Sequence, residues 1–529
     1  MRRSVTMAGD SVTVAAVLRR QAACRTDHPL LICDDERISY GEAERCSARL
    51  ARGLVALGAG KGTHVGLLYP NGPAFLVGML AAARIGAVVV PFSTFATAGE
   101  LRRQLVDSDV EILLASRSYR SHDYLQRLAE VVSDTGVDSN ERLFSIRSPA
   151  LRHVIIDLDR VHRLAETVDE PLLSALEDDV DGSDALAIIY TSGTTSAPKG
   201  VLHTHAALLH HQRNLNAIRG LTASDVLFCT SPFFWIGGFG FALLASLAAG
   251  STLVCSNASE PAATLDLLET ERPTITNGFA AAVSDLAQHP SFSRRNLTSM
   301  RRGNLYPIMA ADARPADPEL RHNMLGLTEG GSVVLISDDE TDQPEHRRGS
   351  FGKPAPGFET TIIDPDSGTP VEDGELGELC IRGGYLMQRY YKRSREECFD
   401  ADGWFHTGDL VAADRDGFVY FVRRRDSMIK TAGANVSPTE VEKAITKVTG
   451  GAVAQVFGIP DPVRGQAVAA VVVLETGERF DETAVRRRLK AELSAYKIPT
   501  RFAVLQRADV PLLSSGKVDM RQLTKMFDV

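Results

Sequence analysis

The sequence predicts an α/β protein: a large N-terminal domain with parallel-rich sheets and a β-rich subdomain, followed by a small α+β C-terminal domain. Three observations predict it. Residues 64–92, HVGLLYPNGPAFLVGMLAAARIGAVVVPF, pass from a short apolar run through an Asn-Gly-Pro turn into an alanine-rich helical stretch and back to a β-branched run, the rhythm of a βαβ unit with buried parallel strands. After Asp364 the texture changes to short alternating runs punctuated by Gly, Asp and Pro (364–384, 402–410 and 414–422), which reads as a β-rich subdomain over about 350–425. Beyond Arg425, helical patterns at 438–448 and 482–493 alternate with strand patterns at 467–475 and 502–506, so residues 426–529 form the small α+β unit and 1–425 the large one.

The remaining elements follow the same logic. The βαβ rhythm recurs at LAIIYTSGTT (186–195) and DVLFCTSP (225–232), each expected to lead into a helix, and no internal repeat is visible. The stretch between Asp225 and Glu260 carries no charge and is long enough to raise a transmembrane helix, but its glycines, and the LAAG punctuation before STLVC, favour a buried helix followed by a core strand. No transmembrane span is expected, and peripheral membrane contact stays open.

Bulk composition narrows the class. At 529 residues with 44% hydrophobic content the chain can bury several cores, which sets disorder aside. The net charge of −9 and the lack of a long basic block argue against nucleic acid, so any nucleotide phosphate must be met by local positive charge. Seven scattered cysteines without a CxxC pair point to a reducing cytoplasm rather than to disulfides or structural zinc. Asp10, Arg19 and Arg20 interrupt the N-terminal apolar run, so a secretion signal is not expected.

The most informative stretch is TSGTTSAPKG, residues 191–200. Two glycines, five hydroxyls and a lysine at the end of an apolar strand offer backbone N–H groups, O–H donors and one mobile ammonium, the inventory a polyphosphate needs. It is not a Walker A loop: Pro198 precedes Lys199 where that motif needs glycine, and Gly200 follows where it needs the magnesium-binding hydroxyl.

Four further motifs follow: GLTEGG at 326–331, GWFHTGDL at 403–410, RRRDSMIKTAGANVSPTEVE at 423–442 and SSGKVDM at 514–520. In this order, with ISYGEA at 38–43 and GAVVVPF at 86–92, they closely resemble the signatures of the adenylate-forming superfamily of acyl-CoA and aryl-CoA synthetases, peptide-synthetase adenylation domains and luciferases. The resemblance spans nearly the whole chain. It implies a mobile C-terminal domain hinged just before its first strand, and ATP, Mg2+ and CoA as the small molecules used.

What the resemblance implies for individual residues is as follows. Thr191, Ser192, Gly193, Thr194, Thr195 and Lys199 would hold the outer phosphates, with Ser196 and Ala197 departing from the usual Gly-x before Pro-Lys-Gly. Glu329 would bind Mg2+, since a hard cation bridging phosphates wants carboxylate oxygen, and Thr328 would donate to the α-phosphate. Gly303, Asn304 and Gly326 would contribute to the AMP site, and Leu325 stands where the family usually stacks an aromatic ring on adenine. Asp409 would accept both ribose hydroxyls, helped by Arg424. Lys517 would carry charge to the reacting carboxylate oxygen and the α-phosphate, although Leu512 and Leu513 before it depart from the usual basic and hydroxyl residues. Asp426 matches the hinge, and the loop around Gly433 would face the CoA channel once rotation removes Lys517.

The acid pocket is expected at SPFFWIGGFG, residues 231–240, with Phe234 and Trp235 as walls and Gly237 and Gly238 leaving room. Amino-acid-activating relatives carry an aspartate in this region and none occurs here, so an apolar aliphatic or aryl acid fits better. His203, His205, His210 and His211 invite a metal site but lack a carboxylate partner or a zinc-binding spacing, so structural roles are expected.

The sequence therefore reads as an AMP-forming acyl-CoA synthetase acting on an apolar aliphatic or fatty acid. Its expected partners are that acid and CoA, with a homodimer left open. A ligase that loads a carrier-protein thiol, and a non-catalytic binding protein on the same fold, remain as alternatives.

Overall fold

The computed structural model describes residues 12–132, 142–191, 199–424, 428–474, 479–511 and 518–527. Expectations for Ser192, Gly193, Thr194, Thr195, Ser196, Ala197, Asp426, Leu512, Leu513 and Lys517 lie outside the described residues.

Two parallel-rich sheets dominate the N-terminal part. The first orders its strands Arg302–Gly303, Ile275–Asn277, Val226–Cys229, Thr252–Cys255, Pro29–Cys33 and Glu36–Ser39, parallel except for the last hairpin. The second runs Arg389–Tyr390, Lys199–Thr204, Ala185–Thr191, Val88–Pro91, His64–Leu68, Ile112–Ala115 and His153–Ile155, with a parallel block from Ala185–Thr191 onward. Strands such as Val88–Pro91 are buried on both faces, so successive side chains enter different cores. Val89 joins the core shared by the two sheets, whereas Val88 and Val90 join the core on the outer side.

The shared core is filled by the helices Val14–Cys24, Tyr40–Ala56, Pro73–Arg84 and His205–Ile218. The expected βαβ unit is present: His64–Leu68, Pro73–Arg84 and Val88–Pro91, with Gly72 at φ 149° leading into Pro73 at the first helical turn. One local expectation is met only in part, since the helix after TSGTTSAPKG is present but a strand precedes it. Ala185–Thr191 does not lead directly into a helix; Lys199–Thr204 returns antiparallel beside it, and the helix begins at His205, capped by the Thr204 hydroxyl on the Ala207 N–H.

The uncharged stretch is helical over Ile236–Gly238, Phe239–Leu244 and Ala245–Ala249, with a π-helical turn in the middle. It ends at Gly250 (φ 78°) before the core strand Thr252–Cys255. Among the described residues no helix is long and apolar enough to cross a membrane.

The β-rich stretch forms a four-stranded antiparallel sheet of Phe358–Ile363, Gly377–Gly383, Phe405–Ala413 and Val419–Arg424. The C-terminal sheet joins Ala434–Val436, Ile429–Thr431, Gly465–Leu474, Val453–Asp461 and Arg501–Gln506, with helices Pro438–Thr449 and Glu482–Glu492 against it.

Candidate active site

A cavity of about 420 Å³ opens beyond the carboxyl ends of the parallel strands, where α/β sheets expose backbone turns to ligands. Thr191 ends one strand, Ser231 and Trp235 follow a second, and Asn277 ends a third; all four line the cavity. Asn304 clasps the Gly278 backbone, accepting from its N–H at 3.1 Å and donating to its carbonyl at 2.8 Å. Its side chain thus shapes the wall by holding a turn. Gly303, at φ 101°, lies so close to the neighbouring strand that a Cβ would stand 1.9 Å from the Thr276 carbonyl oxygen, so it permits the turn without lining this cavity.

The end of the cavity where the sequence places the acid is aromatic. Phe234 and Trp235 line the cavity, and Phe95 meets both edge-on, at 5.5 and 6.3 Å between ring centroids. Gly237 also lines the cavity, and a Cβ there would meet the Ser231 hydroxyl at 3.6 Å, an ordinary van der Waals contact without a clash. Gly238 does not serve the pocket as expected: it is buried, it does not line the cavity, and a Cβ would stand 2.1 Å from the Pro232 carbonyl oxygen. Leu325 also departs from expectation. Strand alternation sends its side chain into the core with Val334 and Leu386, while Met324, Gly326, Leu327 and Thr328 line the cavity.

A polar cluster adjoins this wall. The Tyr390 hydroxyl donates to Glu329 Oε1 at 2.7 Å, and the Lys199 ammonium sits 5.1 Å from the Tyr390 ring centroid. His203 Nε2 bonds the Thr328 carbonyl at 2.7 Å, which anchors the Thr328–Glu329 backbone. Asp409 and Arg424 face each other across antiparallel strands, with Arg424 Nη1 3.2 Å from Asp409 Oδ1 and Nη2 donating to the Thr407 carbonyl at 2.7 Å. Asp409 is 3% exposed, and its Oδ1 accepts no hydrogen bond. Burial pushes its carboxyl above the usual aspartate value, against the pull of Arg424 and Lys430. Lys199, Glu329, Asp409 and Arg424 do not themselves line the cavity.

The C-terminal part closes the other side. Gly433, at φ 83°, packs on Phe279 so tightly that a Cβ would lie 2.3 Å from the ring, and it lines the cavity together with Lys430. Loss of hydration holds the Lys430 ammonium below the usual lysine value, Asp409 opposes this, and Arg424 reinforces it. Sequence reasoning passed over Lys430 although it sits three residues before Gly433 in a motif already singled out.

It also missed the clamp beside it. Lys497 Nζ donates to Glu100 Oε1 at 2.6 Å and Glu440 Oε1 at 2.9 Å, and the Ser494 hydroxyl donates to Glu100 Oε2 at 2.6 Å. Glu100 also accepts from the Thr97 N–H as part of a capping box on Ala98–Asp107. That Thr-x-x-Glu pattern was legible in the sequence; its second use by Lys497 was not.

Three of the four histidines have structural partners: besides His203, His211 bonds the Val333 carbonyl, and His205 accepts from the Val14 N–H. Burial pulls His203, His205 and His211 down to about 4, so they are neutral. Among the described residues no group of three or more His, Cys, Asp and Glu side chains is arranged to hold a metal.

Residues 18–391 match the AMP-binding enzyme family, and residues 440–517 match the AMP-binding enzyme C-terminal domain. The chain belongs to the AMP-binding enzyme family. The enzyme is 30% identical to feruloyl-CoA synthase of Amycolatopsis sp, covering 93% of this chain and 94% of the relative, and 29% identical to 4-coumarate–CoA ligase 3 of Arabidopsis thaliana, covering 94% and 88%. Among solved structures, the Mycobacterium tuberculosis fatty acyl CoA synthetase superposes with a TM-score of 0.66 at 25% identity, covering 98% of this chain and 99% of that one. The o-succinylbenzoate CoA synthetase of Bacillus subtilis, bound with a product analogue, gives 0.76 at 24% identity, with 96% and 98% covered, which is a likeness of fold. The enzyme is an AMP-forming acid–CoA ligase: ATP and a carboxylic acid give an acyl-adenylate, and CoA takes the acyl group.

Proposed function

We propose that the acid has an apolar body, aliphatic or fatty, and that it lies along Phe234, Trp235 and Gly237 with its carboxylate toward Thr191 and Thr328. The observation that carries this is the wall itself: Phe234, Trp235, Ile236, Phe241, Met324 and Leu327 border the acid end without a charged side chain among them. A second reading, a hydroxycinnamate-like aryl acid, is favoured by the feruloyl-CoA and 4-coumarate relatives and by the edge-on rings of Phe95, Phe234 and Trp235.

In this reading Asp409 accepts the ribose hydroxyls; its buried oxygen without a hydrogen bond is the kind of acceptor a ribose would satisfy. Thr191, Thr328 and Lys199 meet the phosphates, and Arg424 steadies Asp409. Magnesium fits the donor set: Tyr390 holds the Glu329 carboxylate with its hydroxyl and meets Lys199 with its ring, and one hard oxygen ligand plus nucleotide phosphates suffices for Mg2+. When bound, the ion would neutralise phosphate charge.

The reading divides the chain at residues 425 and 426 and takes the observed arrangement as the one that forms the thioester. Support comes from Gly433 and Lys430 at the cavity wall. Residues flanking the catalytic candidate Lys517 point the same way: Val518 packs with Phe457, Leu523 and Phe527, away from the cavity lining. Adenylation would then require the C-terminal domain to turn and bring Lys517 to the carboxylate.

The test is pyrophosphate release over aliphatic, hydroxycinnamic and other aryl acids, followed by mass analysis of the product with CoA or with a carrier protein as acceptor. Turnover of aliphatic acids with CoA is expected. Turnover confined to hydroxycinnamates selects the second reading, and acid-independent pyrophosphate release overturns both.

A further inference from the structure

Behind the acid end lies a second chamber of about 70 Å³, divided from the main cavity by Phe241, Asn277, Asn304 and Met324, which line both. Arg219 borders this chamber at the end of helix His205–Ile218. Its guanidinium carbon stands 3.9 Å from the Phe241 ring centroid, and its Nη2 donates to Asn216 Oδ1 at 3.0 Å and to the Phe241 carbonyl at 2.9 Å. Its Nε is buried with no acceptor, and among the described residues no carboxylate pairs with the guanidinium. Burial holds Arg219 well below the usual arginine value, at about 9, which reflects how little the protein compensates the charge.

The other charged groups around the chamber are already engaged or opposed. Asp339 accepts from Thr341 and Gln343, and Arg321 Nε is paired with Asp342 at 2.5 Å. Glu340, which also lines the chamber, is raised by burial and lowered by Arg302 and Arg321. His322 presents a further buried nitrogen, Nε2, without a partner. The chamber thus holds unsatisfied nitrogen atoms, while its two acidic side chains disfavour a second anion.

We propose that this chamber receives the far end of the acid, and that Arg219 is a specificity-determining residue selecting acids that carry a neutral oxygen acceptor there, a hydroxyl, ether or carbonyl. The proposal rests on the acid-ligase reading, with the acid body running past Trp235 and Gly237 to Phe241. An acceptor oxygen supplies what the guanidinium lacks, whereas a methyl end leaves the buried Nε without an acceptor. Phe241 stacks on Arg219 and carries the apolar wall up to that point.

The experiment compares matched acids: a para-methoxyphenylpropanoic acid against its para-ethyl counterpart, and an ω-hydroxy fatty acid against its methyl-ended homologue. kcat/KM is read from CoA-dependent pyrophosphate release. The native enzyme is expected to prefer the oxygen-bearing acid in at least one pair by about 10- to 100-fold, the scale of one hydrogen bond to a charged group. Arg219→Met is expected to abolish the preference, bringing the kcat/KM values of the two acids in a pair to within about twofold of each other, and Arg219→Lys to retain part of it. No preference in the native enzyme overturns the proposal whether or not Arg219→Met folds, and so does an equal loss on both members of a pair. Preference for a dicarboxylic acid over the neutral oxygen-bearing acid overturns the neutral-acceptor assignment. Failure to turn over any acid counts instead against the acid-ligase reading.

Discussion

Asp409 shows how a single side chain is set up by burial. Its carboxyl is pushed up because water is excluded, and the neighbouring Arg424 compensates only in part. Ionisation of such a group costs stability, most fully above its raised value, and the cost disappears below the ordinary aspartate value. Asp409→Asn should therefore leave the melting temperature at neutral pH unchanged or higher, with any gain shrinking as pH falls toward about 4. On the proposed ribose role, the same change should weaken ATP use by about 2 to 4 kcal/mol through the loss of two charge-assisted contacts. Parallel thermal melts and ATP kinetics check both; a lower melting temperature with unchanged ATP kinetics would remove Asp409 from the site. Trp235 is only partly buried and belongs to the cavity wall rather than to a core cluster. Trp235→Ala should therefore alter acid preference with little change in apparent ATP affinity, whereas an unchanged acid profile with a large loss of stability would mark it as core. At this scale motif order made the residue types legible, but not the direction of each side chain. Leu325 and Gly238 illustrate the limit, since strand alternation and a close backbone contact, not the motif, decide where they lie.

Among the elements, helix Ala98–Asp107 ties the two parts of the enzyme together through Glu100. Burial pushes the Glu100 carboxyl up, but Lys497, Ser494 and the Thr97 N–H together hold it below its usual value of 4.5. Burial opposes the Lys497 charge, while Tyr496, Glu100 and Glu440 keep it above its usual value of 10.5. A depressed carboxylate contributes stability above its unfolded value and loses it as pH falls; a raised lysine contributes below its unfolded value and loses it as pH rises. The clamp is therefore fully engaged between about pH 4.5 and 10.5. Glu100→Gln should slow thioester formation from preformed acyl-adenylate by about tenfold, the scale of 1.4 kcal/mol in a conformational equilibrium, and spare adenylation. An equal slowing of both half-reactions would make the clamp merely structural. Gly433→Ala should act more strongly on the same step, because a Cβ at φ 83° meets the Phe279 ring. The βαβ unit and the C-terminal elements could be read from periodicity, since each is a local pattern. The return strand Lys199–Thr204 could not, because its pairing with Ala185–Thr191 is a contact between strands and not a property of either.

At the scale of the whole molecule, the two-part architecture follows from composition and motif order, whereas the arrangement of the parts comes only from the structure. It brings residues after 425, Lys430, Gly433 and Lys497 among them, to a cavity whose other walls come from the N-terminal part. The central claim is that this arrangement forms the thioester and that the catalytic candidate Lys517 serves only the other half-reaction. Lys517→Ala should lower adenylation by about 10² to 10³, the scale of one positioned electrostatic stabiliser. The most direct measurement is the single-turnover rate at which Lys517→Ala converts preformed acyl-adenylate and CoA into acyl-CoA. The account predicts a rate close to that of the native enzyme; a rate that falls as far as adenylation does would contradict it.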